Sequence, residues 1–137
     1  MLKLFRVLIP AYRFFDCTTD APELLYRTST DLSCIDHQGA LGSWILCIPK
    51  PGPRTFKNLF LNHEENFLFA CHALLEYFQN DLNEGLEEST SLSLVQNLVR
   101  FQIKKFNPTA RTFQFFLGYT MDPADALYTS KVLEVSP

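Results

Sequence analysis

The sequence predicts an α+β fold: an antiparallel sheet of about five strands with one long amphipathic helix on one face. Three observations carry this. Residues 63–82 hold a helical apolar stripe between a capping residue and a stop signal. Residues 99–104 and 112–119 alternate apolar and polar side chains on either side of a turn. Of the 137 residues, 47% are apolar and only 20% charged, thirteen of them Phe, the composition of a packed chain rather than a disordered one. The length fits a single domain, 1–137. A chain of this size can bury roughly 70% of its unfolded surface, so a core needs no staples.

The elements follow in order. Leu2 to Ile9 is almost wholly apolar, which suits a first strand covered on both faces. Thr19-Asp20-Ala21-Pro22-Glu23 combines a capping side chain, an early proline and an acid, and predicts a short helix from Glu23 to Arg27 that Thr28-Ser29-Thr30 breaks. Asp31–Asp36 and Ser43–Ile48 read as two strands of a hairpin joined through Gly39 and Gly42. The apolar run Trp44–Ile48 predicts a central strand. Three prolines between Pro49 and Pro53 make a rigid loop.

The long helix begins at His63, with Asn62 as its cap and Glu64 and Glu65 where the helix dipole favours negative charge. Phe67, Ala70, Cys71, Leu74 and Phe78 form its stripe. Asn83-Glu84-Gly85 ends it. Ser91–Asn97 fits helix or strand. Val99, Phe101 and Ile103 alternate with Arg100, Gln102 and Lys104, and predict a strand with one wet face. Asn107-Pro108-Thr109-Ala110 turns the chain into a second strand, in which Phe113, Phe115, Leu117 and Tyr119 alternate with Thr112, Gln114, Phe116 and Gly118. Asp122-Pro123-Ala124-Asp125 starts a terminal helix, with an edge strand from Tyr128 to Val135 as the alternative. The first six elements match the βαββαβ, ferredoxin-like order.

Composition narrows function less than it narrows fold. The net charge of −3 gives no strong pull toward nucleic acid or anionic membranes. Its distribution is uneven. No Lys or Arg lies between Lys57 and Arg100, where Glu64, Glu65, Glu76, Asp81, Glu84, Glu87 and Glu88 stand. No acid lies between Glu88 and Asp122, where Arg100, Lys104, Lys105 and Arg111 stand. Cys17, Cys34, Cys47 and Cys71 are widely spaced and mostly in apolar surroundings, as expected of reduced thiols inside a cell. A cytoplasmic location is therefore expected, with organelle targeting the second reading of the basic, acid-free N-terminus. No apolar run approaches the ~18 residues of a membrane span.

No motif fixes a reaction. Cys34-x-x-His37 has a metal-ligand spacing, with Cys47 and His63 as conceivable partners, but structural zinc needs two tight pairs. Cys71 and His72 point about 100° apart on a helix and cannot act as a pair. Glu64/Glu65 and Glu87/Glu88 have no partner base in view. No cofactor is expected.

Two surfaces stand out. Phe69 lies opposite the predicted stripe of the long helix, beside Ala73 and flanked by His72 and Glu76, and Phe116 falls outside the Phe113/Phe115 register. These five residues suggest a non-catalytic interaction module, with a protein partner or a second copy as occupant. The alternative is RNA or another phosphate-bearing ligand on the predicted basic hairpin through Arg100, Gln102, Lys104, Lys105 and Arg111. A small-ligand enzyme without a recognisable motif is the third.

Overall fold

A computed structural model describes residues 22–35, 41–49, 63–86 and 88–135. The expected first strand, the prolines after Pro49 and Cys17 lie outside these. The described elements are β1 (Glu23–Ser29), β2 (Ile45–Leu46), α1 (His63–Asn83), α2 (Thr90–Phe106), β3 (Thr112–Gly118), β4 (Ala126–Thr129) and β5 (Leu133–Glu134). All strand pairs are antiparallel, so the chain is α+β. The order strand, strand, helix, helix, strand, strand, strand differs from the expected βαββαβ at residues 23–27, at 99–104 and at 32–35.

The first is residues 23–27, expected as a helix and found as β1. Its seven residues pair with β3 from Glu23↔Gly118 to Ser29↔Thr112. Leu24, Leu25 and Tyr26 are buried on alternating faces of the sheet. Pro22 reads equally well as a helix start and as the residue before a strand. The long-range pairing decides.

The second is residues 99–104, expected as a strand and found inside α2. Ser91, Val95, Val99, Gln102 and Ile103 are its buried residues, at helical spacing. Ser89 caps the helix, its side chain accepting from the Leu92 amide at 3.2 Å. Lys104 and Lys105 lie in the last turn, where the dipole favours cations. The apparent alternation of Val99, Phe101 and Ile103 is accidental, because Phe101 points to solvent at 57% exposure. Among the described residues, two long helices therefore stand where one was expected.

α1 keeps its expected span, and its end is a Schellman motif. The Gly85 amide donates to Leu82 O and the Leu86 amide to Asp81 O, both at 3.0 Å. Gly85 holds the left-handed φ of 74° that this requires. The buried stripe is rotated from expectation. It keeps Cys71, Leu74 and Phe78 and adds Leu75, with Leu68 and Leu82 packed alongside, while Phe67 and Ala70 are exposed.

The sheet order is β2-β1-β3-β4, with β5 continuing the edge of β3 after β4. Within the expected strand 31–36, the described stretch Leu32–Ile35 is a 3-10 turn instead. β2 is an edge strand of two residues rather than central, pairing Leu25↔Leu46 and Tyr26↔Ile45. β4 and β5 replace the expected terminal helix, leaving only the 3-10 turn Pro123–Asp125 that Asp122 caps. Between them the ladder breaks, and the buried Ser130 hydroxyl accepts the Phe115 amide at 3.0 Å in place of a strand carbonyl.

β3 is buried on both faces along its whole length. Phe113, Phe115 and Leu117 meet Leu75, Phe78, Val95, Val99 and Ile103 in the main core. Tyr128 closes this face, edge-on to Phe78 at 5.2 Å. The Tyr119 hydroxyl accepts from Gln79 Nε2 at 2.6 Å, tying α1 to the end of β3. The opposite face carries Leu25, Thr112, Gln114 and Phe116, all fully buried or nearly so.

Candidate functional site

The outer side of the helix pair is built by helical periodicity. The loop between α1 and α2 is short, so the two helices run antiparallel. The Ser91 hydroxyl donates to the Asp81 carboxylate, which marks the helix edges that face each other. At about 100° per residue, Ala70 and Tyr77 fall near that edge of α1, on the outward side. On α2 the same arithmetic places Leu94, Leu98 and Phe101 outward and toward α1. Tyr77 is 69% exposed, Leu94 50% and Phe101 57%. Ala70 and Ala73 are exposed, and Leu98 is half-buried.

The residues expected from the sequence divide around this face. Phe69 is 38% exposed, and Ala73 and Glu76 are exposed on the outward side of α1, with His72 half-buried. Phe116 does not join them. It is 0% exposed, edge-on to Trp44 at 4.6 Å, and is a core residue of the second sheet face. The expected outward register fails because β3 is covered on both sides.

The basic set is also rearranged. Arg100, Gln102 and Lys104 were expected on one face of a strand, and on a helix they diverge. Gln102 is buried. Arg100 lies with its guanidinium over the Phe113 ring at 5.6 Å and reaches Asn97 Oδ1 at 3.3 Å. Its Nε is buried with no hydrogen-bond partner among the described residues. Lys104, Lys105 and Arg111 are exposed around the end of α2. Among the described residues, no ion pair neutralises Glu76, Glu84, Lys104 or Lys105.

On the other face of the sheet, Arg27 forms a polar cluster that the sequence did not signal. Its Nε and Nη2 both donate to Gln114 Oε1, at 3.0 and 2.7 Å. Gln114 Nε2 donates to Ser130 O at 2.9 Å. The guanidinium stacks over Trp44 at 4.5 Å, and burial lowers its pKa. This cluster holds β1, β3 and the strand edge in register through neutral acceptors.

Among the described residues, neither a metal centre nor an activated thiol is assembled. Among the described residues, no three His, Cys, Asp or Glu side chains gather into a metal-binding group. His37 and the side chains of Cys34 and His63 lie outside the described set. Cys47 is a buried core residue whose thiol is pushed up to about 12, first by burial and then by the neighbouring Cys71. Burial also raises Cys71. Thiols held protonated in this way are poor nucleophiles and poor metal ligands. No helix among the described residues is long and apolar enough to cross a membrane.

The outward residues Tyr77, Leu94 and Phe101 escaped the sequence reading. Their signal was the spacing Leu94, Leu98, Phe101, which becomes meaningful only once residues 90–106 are read as a helix. Comparison with protein families, with curated proteins and with solved structures finds no match to the chain.

Proposed function

We propose that this chain is a non-catalytic interaction module that binds another protein through the outer face of the α1–α2 pair. The observation that carries this reading is the exposure of Tyr77, Leu94 and Phe101 on adjoining edges of two neighbouring helices. Single exposed apolar side chains are ordinary, whereas a run of them across two elements marks a contact surface. Aromatic residues supply most of this run, as they do in the centres of interfaces.

A photo-crosslinking phenylalanine analogue placed at Tyr77 or Phe101 tests the reading in the cells that express the protein. Both positions are expected to give a covalent adduct of higher mass. The same group at the exposed Asp122 is expected to give none. Absence of adducts from both helix positions overturns it.

A second reading keeps nucleic acid as the partner, and the exposed Lys104, Lys105 and Arg111 around one helix end favour it. It requires salt-dependent binding of a mixed-sequence oligonucleotide that Lys104→Glu with Lys105→Glu abolishes.

A further inference from the structure

We infer that the partner on this face is a second copy of the chain, docked about a two-fold axis that runs along the helices and sets α1 of each copy against α2 of the other. The inference rests on the interaction reading above and adds two observations to it.

The first is charge. α1 carries Glu64, Glu65, Glu76 and Asp81 and no Lys or Arg, and α2 carries Arg100, Lys104 and Lys105 and no acid. Glu76, Lys104 and Lys105 are exposed, without ion pairs among the described residues. An isologous contact repeats every pairing twice. Laying α1 on a second α1 would set acid against acid, and α2 on α2 base against base. Only the α1-on-α2 arrangement is complementary, and it is the one that an axis parallel to the helices produces.

The second is shape at matching heights. Asp81 and Ser91 touch, so they lie at the same level of the hairpin. Ala70 stands about three turns back from Asp81, and Phe101 about three turns on from Ser91, so these two are also level. A rotation about an axis along the helices preserves height. It therefore brings the protruding Phe101 ring of one copy over the exposed small residues Ala70 and Ala73 of the other. Tyr77 of one copy likewise falls level with the Leu94–Leu98 turn of its partner. The Phe101 knob thus meets a small-residue hollow twice across the two-fold axis, and Tyr77 packs on leucines, as interdigitating helices require. At the far end, Lys104 and Lys105 arrive within about one turn of the segment bearing Glu64 and Glu65.

The test is sedimentation of the purified full chain, with isotope-filtered NMR on an equal mixture of labelled and unlabelled protein. A dimer is expected, with intermolecular contacts between Phe101 ring protons and the Ala70 and Ala73 methyls. Phe101→Glu and, separately, Ala73→Arg are expected to give folded monomers, both sites being exposed. Raised salt should loosen the dimer of the unaltered chain. A chain that stays monomeric up to about 100 μM, the weak end of specific association, overturns the inference. So does a dimer that survives both substitutions, or one whose intermolecular contacts lie elsewhere. Crosslinks from Tyr77 or Phe101 to a different protein, with a monomeric purified chain, would end the second-copy inference while leaving the interaction reading standing.

Discussion

Ser130→Ala removes one hydroxyl from the break between β4 and β5. That hydroxyl accepts the Phe115 amide at 3.0 Å and donates to Lys131 O at 2.8 Å. The two losses are unequal. Lys131 is exposed and its carbonyl can turn to water, whereas Phe115 is fully buried at the centre of the sheet. A buried amide left without a partner costs about 1–3 kcal/mol. With a urea m-value of about 2 kcal/mol/M for a chain of this size, the midpoint should fall by about 1 M with m unchanged. Fluorescence of Trp44, the only tryptophan, reports the transition. Hydrogen exchange of the Phe115 amide should quicken at the same time. Ser130→Thr keeps the acceptor and should retain most of the stability. A midpoint within about 0.2 M of the parent, with Phe115 still protected, would refute the claim that Ser130 completes the ladder.

Phe116→Ala should cost about 3–5 kcal/mol in chemical denaturation, because the ring is enclosed and packs edge-on to Trp44; an unchanged midpoint would return Phe116 to the surface. Gly85→Ala should cost about 1 kcal/mol from backbone conformation alone, since φ is 74° and an added Cβ would meet nothing within 4 Å; the urea midpoint measures it. Cys47 titrates near 9 unfolded and about 12 folded, so the unfolded state loses its proton first as pH rises. The stability it contributes is complete below pH 9 and is lost between pH 9 and 12, at about 1.4 kcal/mol per pH unit. Cys47→Ala should flatten that part of the stability–pH profile, and identical slopes in the two proteins would count against the shift.

What could be read in the sequence was local and strongly periodic. α1 announced itself through its length and through Gly85, and β3 through its alternating phenylalanines. What could not be read was decided by distant partners. Glu23–Ser29 has the capping residues of a helix and becomes a strand because β3 offers it seven pairing positions. Val99–Ile103 alternates like a strand and becomes a helix because Val95, Val99 and Ile103, four apart, must all reach the same core. That one misread period moved the candidate site. It spread Arg100, Gln102 and Lys104 over one imagined strand face, and it hid Leu94 and Phe101 as a helical pair. The Arg27 cluster had no local signal at all, since Arg27 and Gln114 are 87 residues apart.

The burial of β3 on both faces also bears on where a partner can dock. A sheet covered on both sides offers its edges, and an edge strand recruits partners only if it is long and regular. Neither described edge qualifies. β2 has two residues. The opposite edge is divided between β4 and β5, and at the division a side-chain hydroxyl occupies the ladder position. Strand addition therefore finds no continuous row of free amides and carbonyls among the described residues. The helices differ in this respect. Their backbone bonds are satisfied internally, so what they present outward is side chains alone. On α1 and α2 those side chains include Tyr77, Leu94 and Phe101, none of which the chain's own core requires. Substituting them should change association with little change in folding, the reverse of what is expected for Phe116 and Ser130.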